Sequence, residues 1–78
     1  MAVKTATSQI EVQGIFRIFH FADIDDADTF VGPASPKSWI ITNKTDGIVV
    51  SATESAGTYT FTVASSGTNK VVDLFIPL

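Results

Sequence analysis

A chain of 78 residues and 8.3 kDa has room for one domain, and a content of 45% hydrophobic and 17% charged residues excludes a disordered tail. Its net charge of −3 has the wrong sign for a protein that reads a phosphate backbone, so we expect no nucleic-acid partner. The absence of cysteine excludes disulfides and zinc–thiolate sites. No apolar run approaches the roughly 18 residues of a membrane-spanning helix, so we expect no membrane partner either.

The small size bears on assembly. A domain below about 80 residues gains only a few kcal/mol from a single core. Small proteins therefore add disulfides, a structural metal or oligomerisation. Because the sequence offers neither cysteine nor a metal motif, it predicts a homo-oligomer or a chain that docks on a larger partner.

The N-terminal segment, MAVKTATS, predicts a flexible arm at residues 1–8, followed by a single β domain over 9–78. Residues 9–22 are dense in β-branched and aromatic side chains, which predicts a strand. One face of this strand, expected in the core, carries Ile10, Val12, Phe16 and Ile18. Phe19 and Phe21 fall on the other face, which requires a bulge, burial on both faces or an outward contact with a partner.

Further strands follow residues 23–36, which predict a loop with at most one helical turn. Strands at 38–43 and 48–53 are predicted to form a hairpin, and strands at 58–64 and 70–76 a second one. Their inward side chains are expected to be Tyr59, Phe61, Val63, Val72, Leu74 and Ile76. About five strands at this spacing predict an all-β fold, a small compact antiparallel sandwich or barrel.

The acidic loop contains four aspartates, Asp23, Asp25, Asp26 and Asp28. Carboxylates are the ligands that calcium prefers, but the spacing departs from the calcium-loop template at its fifth, sixth and twelfth positions. We therefore expect these side chains to cap backbone N–H groups, and we predict no metal and no cofactor.

Catalytic signatures are missing as well. His20 is the single histidine, and Ser8, Ser38 or Asp23 could be drawn into a triad with it. There is no nucleophile elbow, and the glycines form no phosphate-binding loop. The sequence therefore predicts a protein that is not an enzyme and has no catalytic residues.

The order of these segments resembles that of small proteins encoded beside the structural genes of tailed bacteriophages. The shared elements are FADIDDADTF at 21–30, a strand containing Trp39, ESAGTYTFTV at 54–63 and the final VVDLFIPL. The resemblance covers roughly residues 15–76. It implies a role in the virion or on the capsid, and no enzymatic residues.

The resulting functional prediction is a capsid decoration or cement protein that binds the phage head and bridges adjacent subunits. Its partners would be the major capsid protein or other virion proteins, and its location the capsid surface. A neck, tail or fibre component is the alternative from the same particle. An alternative of another class is a small module that binds a cation through the aspartates or a carbohydrate through Trp39.

Candidate interface residues follow from the same pattern. The run IFRIFHF at 15–21 is apolar on both faces, and one small core covers only one of them. We therefore expect an intermolecular contact at Phe19, Phe21 and Phe75, with Leu78 at the apolar C-terminal end and Val3 in the arm.

Overall fold

The computed structural model describes residues 2–34, 36 and 38–77, and it folds them into two four-stranded sheets. The strands are β1 (Val3–Lys4), β2 (Ser8–Val12), β3 (Phe16–Ile24), β4 (Thr29–Val31), β5 (Ile40–Asn43), β6 (Val50–Ser55), β7 (Thr58–Val63) and β8 (Lys70–Pro77). A single 3₁₀ turn at Ala64–Ser66 is the one helical element of this described part.

Sheet I has the strand order β1-β4-β7-β6, and sheet II has the order β2-β3-β8-β5. All neighbouring strands are antiparallel except β1 and β4, which are parallel. The predicted all-β sandwich is confirmed, although it has eight strands where about five were expected. The extra strands are the two-residue β1 and the three-residue β4, which are too short for a side-chain period to reveal, and the division of residues 9–22 into β2 and β3.

The two hairpins predicted over 38–53 and 58–76 are wrong. β5 pairs with β8 in sheet II, whereas β6 pairs with β7 in sheet I, so the turn between β5 and β6 carries the chain across the sandwich. The segment between β7 and β8 crosses in the same way. The turn residues were identified correctly, but a turn reverses the chain without fixing which strand it will pair with next.

The true hairpins are β2–β3 and β6–β7. In the first, Gln13 (φ 46°) and Gly14 (φ 71°) occupy the turn, and the N–H of Ile15 donates to the carbonyl of Val12 at 2.8 Å. In the second, Ala56 (φ 50°) and Gly57 (φ 91°) take the same positions. Positive φ at both central positions matches the twist of the flanking strands.

The core lies between the sheets and is rich in aromatic rings. The ring of Phe21 lies 4.9 Å from that of Phe30 and 5.4 Å from that of Phe61, in edge-on arrangements. Such contacts stabilise beyond the area that they bury. The buried hydrophobic set is Phe19, Phe21, Ile24, Phe30, Tyr59, Phe61, Val63, Val72, Leu74 and Ile76. The inward face predicted for the last two long strands is therefore confirmed.

The inward face predicted for residues 9–22 is wrong. Phe19 and Phe21 are only 4% and 1% exposed, and they pair with Leu74 and Val72 on the inner face of sheet II. The side chains expected in the core point to the outer face instead, namely Ile10, Val12, Phe16 and Ile18. Both faces of β3 are apolar, so alternation alone does not decide which face meets the core. In the structure Phe19 and Phe21 pack against Phe30 between the sheets.

The predicted free arm is also corrected. Val3 pairs with Thr29, and Lys4 with Phe30, at the edge of sheet I. The backbone N–H of Ala2 donates to the Asp28 carboxylate at 2.9 Å. This part of the chain therefore belongs to the sheet.

Candidate interaction surface

The two outer faces of the sandwich differ in chemistry. On sheet I, Thr58, Thr60 and Thr62 of β7 alternate with the buried Tyr59, Phe61 and Val63. Their neighbours across β6 are Ser55, Thr53 and Ser51, so the β6–β7 half of this outer face is lined by hydroxyl groups. Its other half, on β4 and β1, carries the exposed Val31 and Val3. On sheet II the alternation leaves apolar side chains outside, and the register of the four strands defines that face.

A row of four apolar side chains crosses the whole of sheet II. Ile10 of β2 pairs with Ile18 of β3, Ile18 pairs with Phe75 of β8, and Phe75 pairs with Ile40 of β5. Paired residues on neighbouring strands share a face. The neighbours of Phe75 along β8, Leu74 and Ile76, are buried, so Phe75 and this apolar row point outward.

A groove adjoins the apolar row at one end of the sheet. It has a volume of about 190 Å³ and is lined by Ile15, Phe16, Ser38, Trp39, Ile40, Phe75 and Pro77. The rings of Phe16 and Phe75 lie 5.9 Å apart and are tilted by 46°. The Trp39 ring meets that of Tyr59 edge-on at 5.7 Å, so Trp39 links the groove to the core.

Exposure makes this face unusual for a small monomer. Ile10, Ile15 and Ile40 are 57%, 62% and 66% exposed, and all three lie in the apolar row or the groove beside it. Single exposed apolar side chains are common on any protein, but a contiguous apolar patch marks an interaction site. This outer face of sheet II is the candidate interaction surface.

A polar row follows on the same face. Ser8, His20, Asp73 and Thr42 face one another across the four strands. His20 Nδ1 lies 2.6 Å from Asp73 Oδ1, and Lys44 Nζ lies 3.5 Å from Asp73 Oδ2. A triad needs a hydroxyl within hydrogen-bond reach of the other ring nitrogen. In the described ranges no hydroxyl makes that bond, and the contacts form a polar network of His20, Asp73 and Lys44 at the border of the apolar row.

The acidic loop is used for structure. Asp25 accepts the N–H of Asn69 at 2.8 Å, and Asp26 accepts that of Val63 at 2.9 Å. Asp28, which is buried, accepts the N–H groups of Asp25 and Ala2, and Lys4 Nζ lies 3.5 Å away. The predicted capping role is thereby confirmed for these carboxylates. Within the described residues, no cluster of three or more His, Asp or Glu side chains is arranged to hold a metal ion.

Electrostatics at Asp28 follow from these contacts. Burial by itself raises the pKa of the Asp28 carboxyl. The two backbone N–H donors and the Lys4 ammonium outweigh that effect, so the pKa lies below its ordinary value. The charged form is therefore the one that holds the N-terminal strand to the loop.

The predicted interface residues are separated by the fold. Phe75 lies in the apolar row, and Val3 is exposed on β1 of the opposite sheet. Phe19 and Phe21 are in the core and are not available for an intermolecular contact, and Leu78 lies outside the described residues. Residues of this surface that the sequence pattern missed are Ile10, Ile15, Phe16, Ile18 and Ile40. The apolar character of both faces of residues 15–21 is the signal for Ile15, Phe16 and Ile18, once Phe19 and Phe21 are placed inward. Ile10 and Ile40 join the surface only through strand pairing.

The part of the chain that the structure describes contains no helix with the length and hydropathy of a membrane span. Searches of protein-family models, of curated proteins and of solved structures give no match to this chain.

Proposed function

We propose that this chain is a non-enzymatic structural protein of a phage particle, a decoration or cement protein that docks on the capsid surface and bridges adjacent subunits. The observation that supports the proposal is the apolar row Ile10–Ile18–Phe75–Ile40, which crosses all four strands on the outer face of sheet II. An exposed apolar patch on one side of a small sandwich fits burial against a protein surface.

The sequence resemblance supplies the kind of partner, and the sandwich supplies a rigid platform on which the docking face is held. The polar network of His20, Asp73 and Lys44 borders the apolar row. Interfaces commonly combine an apolar centre with such a polar rim. In this arrangement sheet II faces the capsid and the threonine-rich face of sheet I faces solvent.

Mass spectrometry of purified particles tests this proposal through the copy number of the chain. Hundreds of copies per particle are expected for a decoration protein on a repeated lattice. A dozen copies or fewer would place the chain in the neck, tail or fibre. Its absence from particles would contradict a structural role in the virion.

A further inference from the structure

We infer that the chain forms a two-fold symmetric dimer through the free edge of β2. In this dimer the two copies of sheet II form one continuous sheet of eight strands. This inference goes beyond the proposed function, because it concerns the edge of sheet II and names a second copy of the chain as the occupant. It rests on the exposure of β2, on its register and on its charges.

β2 is the most exposed strand of the sandwich. Four of its five residues are exposed, whereas the edge strands β5 and β6 alternate between exposed and half-buried residues. Its inner neighbour is β3, and among the described residues no strand pairs with its outer edge. An edge strand of this length leaves unpaired N–H and C=O groups, and natural edges are commonly protected by proline, bulges or several charges. β2 has no proline, and its single charge is Glu11.

The sequence of β2 is complementary to itself in an antiparallel register centred on Ile10. A two-fold axis at Ile10 places Ile10 opposite Ile10 of the second copy, and Gln9 opposite Glu11 at two equivalent positions. All residues paired in this register have the same parity. In a strand, every second residue points its N–H and C=O groups toward the free edge. Because odd residues pair with odd ones and even with even ones, these groups of one copy face the same groups of the other. Moving the axis to Glu11 would set two carboxylates directly opposite each other, which is destabilising.

The charges at the edge agree with this register. Glu11 forms a long ion pair with Arg17, 3.8 Å from Oε1 to Nε and beyond hydrogen-bond distance, and its side chain is 55% exposed. Its oxygens are therefore available to the amide of Gln9 from a second copy. No like charges face each other in the pairing.

The consequence for the candidate interaction surface is direct. Since Ile10 ends the apolar row at the edge of sheet II, pairing at β2 joins two such rows end to end. The order across the dimer is Ile40, Phe75, Ile18, Ile10 and then the same residues of the second copy in reverse. Two apolar rows of four residues thus become one row of eight across the dimer.

Sedimentation equilibrium of the full chain tests the dimer, with charge variants at Gln9. Gln9→Glu places carboxylates opposite Glu11 at both symmetric positions and should raise the dimer dissociation constant about tenfold. Gln9→Lys should lower it, because the opposed charges then attract. Ser51→Glu, on the edge strand β6, makes the same change in net charge and should leave the constant as it is. A chain that sediments as a monomer up to millimolar concentration overturns the inference, as does an equal effect of Gln9→Glu and Ser51→Glu.

Cross-linking tests the register, since the chain has no cysteine of its own. Directly opposed residues of an antiparallel pair have Cα atoms about 4.5–5.5 Å apart, within the range of a disulfide. Under mild oxidation, Ile10→Cys should give a disulfide-linked dimer much faster than Ile40→Cys on the edge strand β5. Equal rates overturn the inference. A monomer that still binds particles refutes the dimer alone, and a dimer that is absent from particles refutes the proposed function alone.

Discussion

Replacing Asp28 by Asn should destabilise the fold by about 3 kcal/mol at neutral pH. The carboxylate is 1% exposed and accepts two backbone N–H groups, from Ala2 at 2.9 Å and from Asp25 at 2.8 Å. A hydrogen bond to a charged acceptor contributes roughly 1.5–3 kcal/mol. The amide of Asn retains one acceptor oxygen and turns an NH₂ group toward the other donor. The loss is therefore about one such bond, plus the attraction of Lys4 Nζ at 3.5 Å.

The pH dependence of the same variant has a definite sign. Because the pKa of Asp28 is lower in the folded chain than in the unfolded one, its stabilising contribution is present above the unfolded pKa, about 3.9. That contribution is lost as the pH falls through the lowered folded pKa. The difference in unfolding free energy between wild type and Asp28→Asn should therefore narrow as the pH is lowered from 5 to about 2.

Urea unfolding, followed by the fluorescence of the single Trp39, measures both effects. Asp23→Asn serves as the matched control, since the Asp23 side chain is 53% exposed and lies 3.8 Å from Lys4 Nζ. That variant should lose well under 1 kcal/mol. A loss below about 0.5 kcal/mol for Asp28→Asn at neutral pH, or a difference that does not narrow in acid, would refute the reasoning.

Three other variants or conditions probe the fold. The double variant Phe19→Ser, Phe21→Ser should be unfolded as an isolated chain, because each buried ring contributes about 3–5 kcal/mol to stability. A cooperative thermal transition near that of wild type would contradict the core assignment. Tyr59→Phe should lower the unfolding free energy by about 1–2 kcal/mol, since the Tyr59 hydroxyl donates to the Pro33 carbonyl at 2.6 Å. Urea titration measures this loss, and an unchanged urea midpoint would argue against the hydrogen bond. Millimolar calcium should leave the melting temperature unchanged, because Asp25 and its neighbours already accept backbone N–H groups. A melting temperature several degrees higher in calcium, with no such increase in Asp25→Asn, would indicate an ion site.

How much of the fold could be predicted depends on the strand. β7 was predicted almost residue for residue, because Tyr59, Phe61 and Val63 alternate with threonines and only one face is apolar. β3 was not, because IFRIFHF satisfies the pattern with either face inward. The turn that divides β2 from β3 was also missed, since Gln13 at positive φ lies outside the usual Asn-Gly and Asp-Gly turn pairs.

The candidate interaction surface, too, could be predicted only in part from the sequence. The apolar character of both faces of residues 15–21 predicted that a second face needs covering, and the outer face of sheet II is exposed and apolar. Which residues form that face depends on the pairing of Phe75 with Ile18 and Ile40, and this pairing joins strands that are distant in sequence. Short-range patterns carry no information on such pairings, so they place Ile40 in a hairpin rather than on this surface.

The central claim is that the outer face of sheet II docks on the particle. Its most direct test uses phage particles from which this chain has been removed. The dissociation constant of the added chain from these particles is measured for the variants Ile40→Lys and Val31→Lys. These residues are 66% and 67% exposed and lie on opposite sheets, so the two variants should have similar folding stability. Docking through sheet II predicts a dissociation constant at least tenfold higher for Ile40→Lys and near that of wild type for Val31→Lys. Equal constants for the two variants, or a larger loss for Val31→Lys, would contradict it.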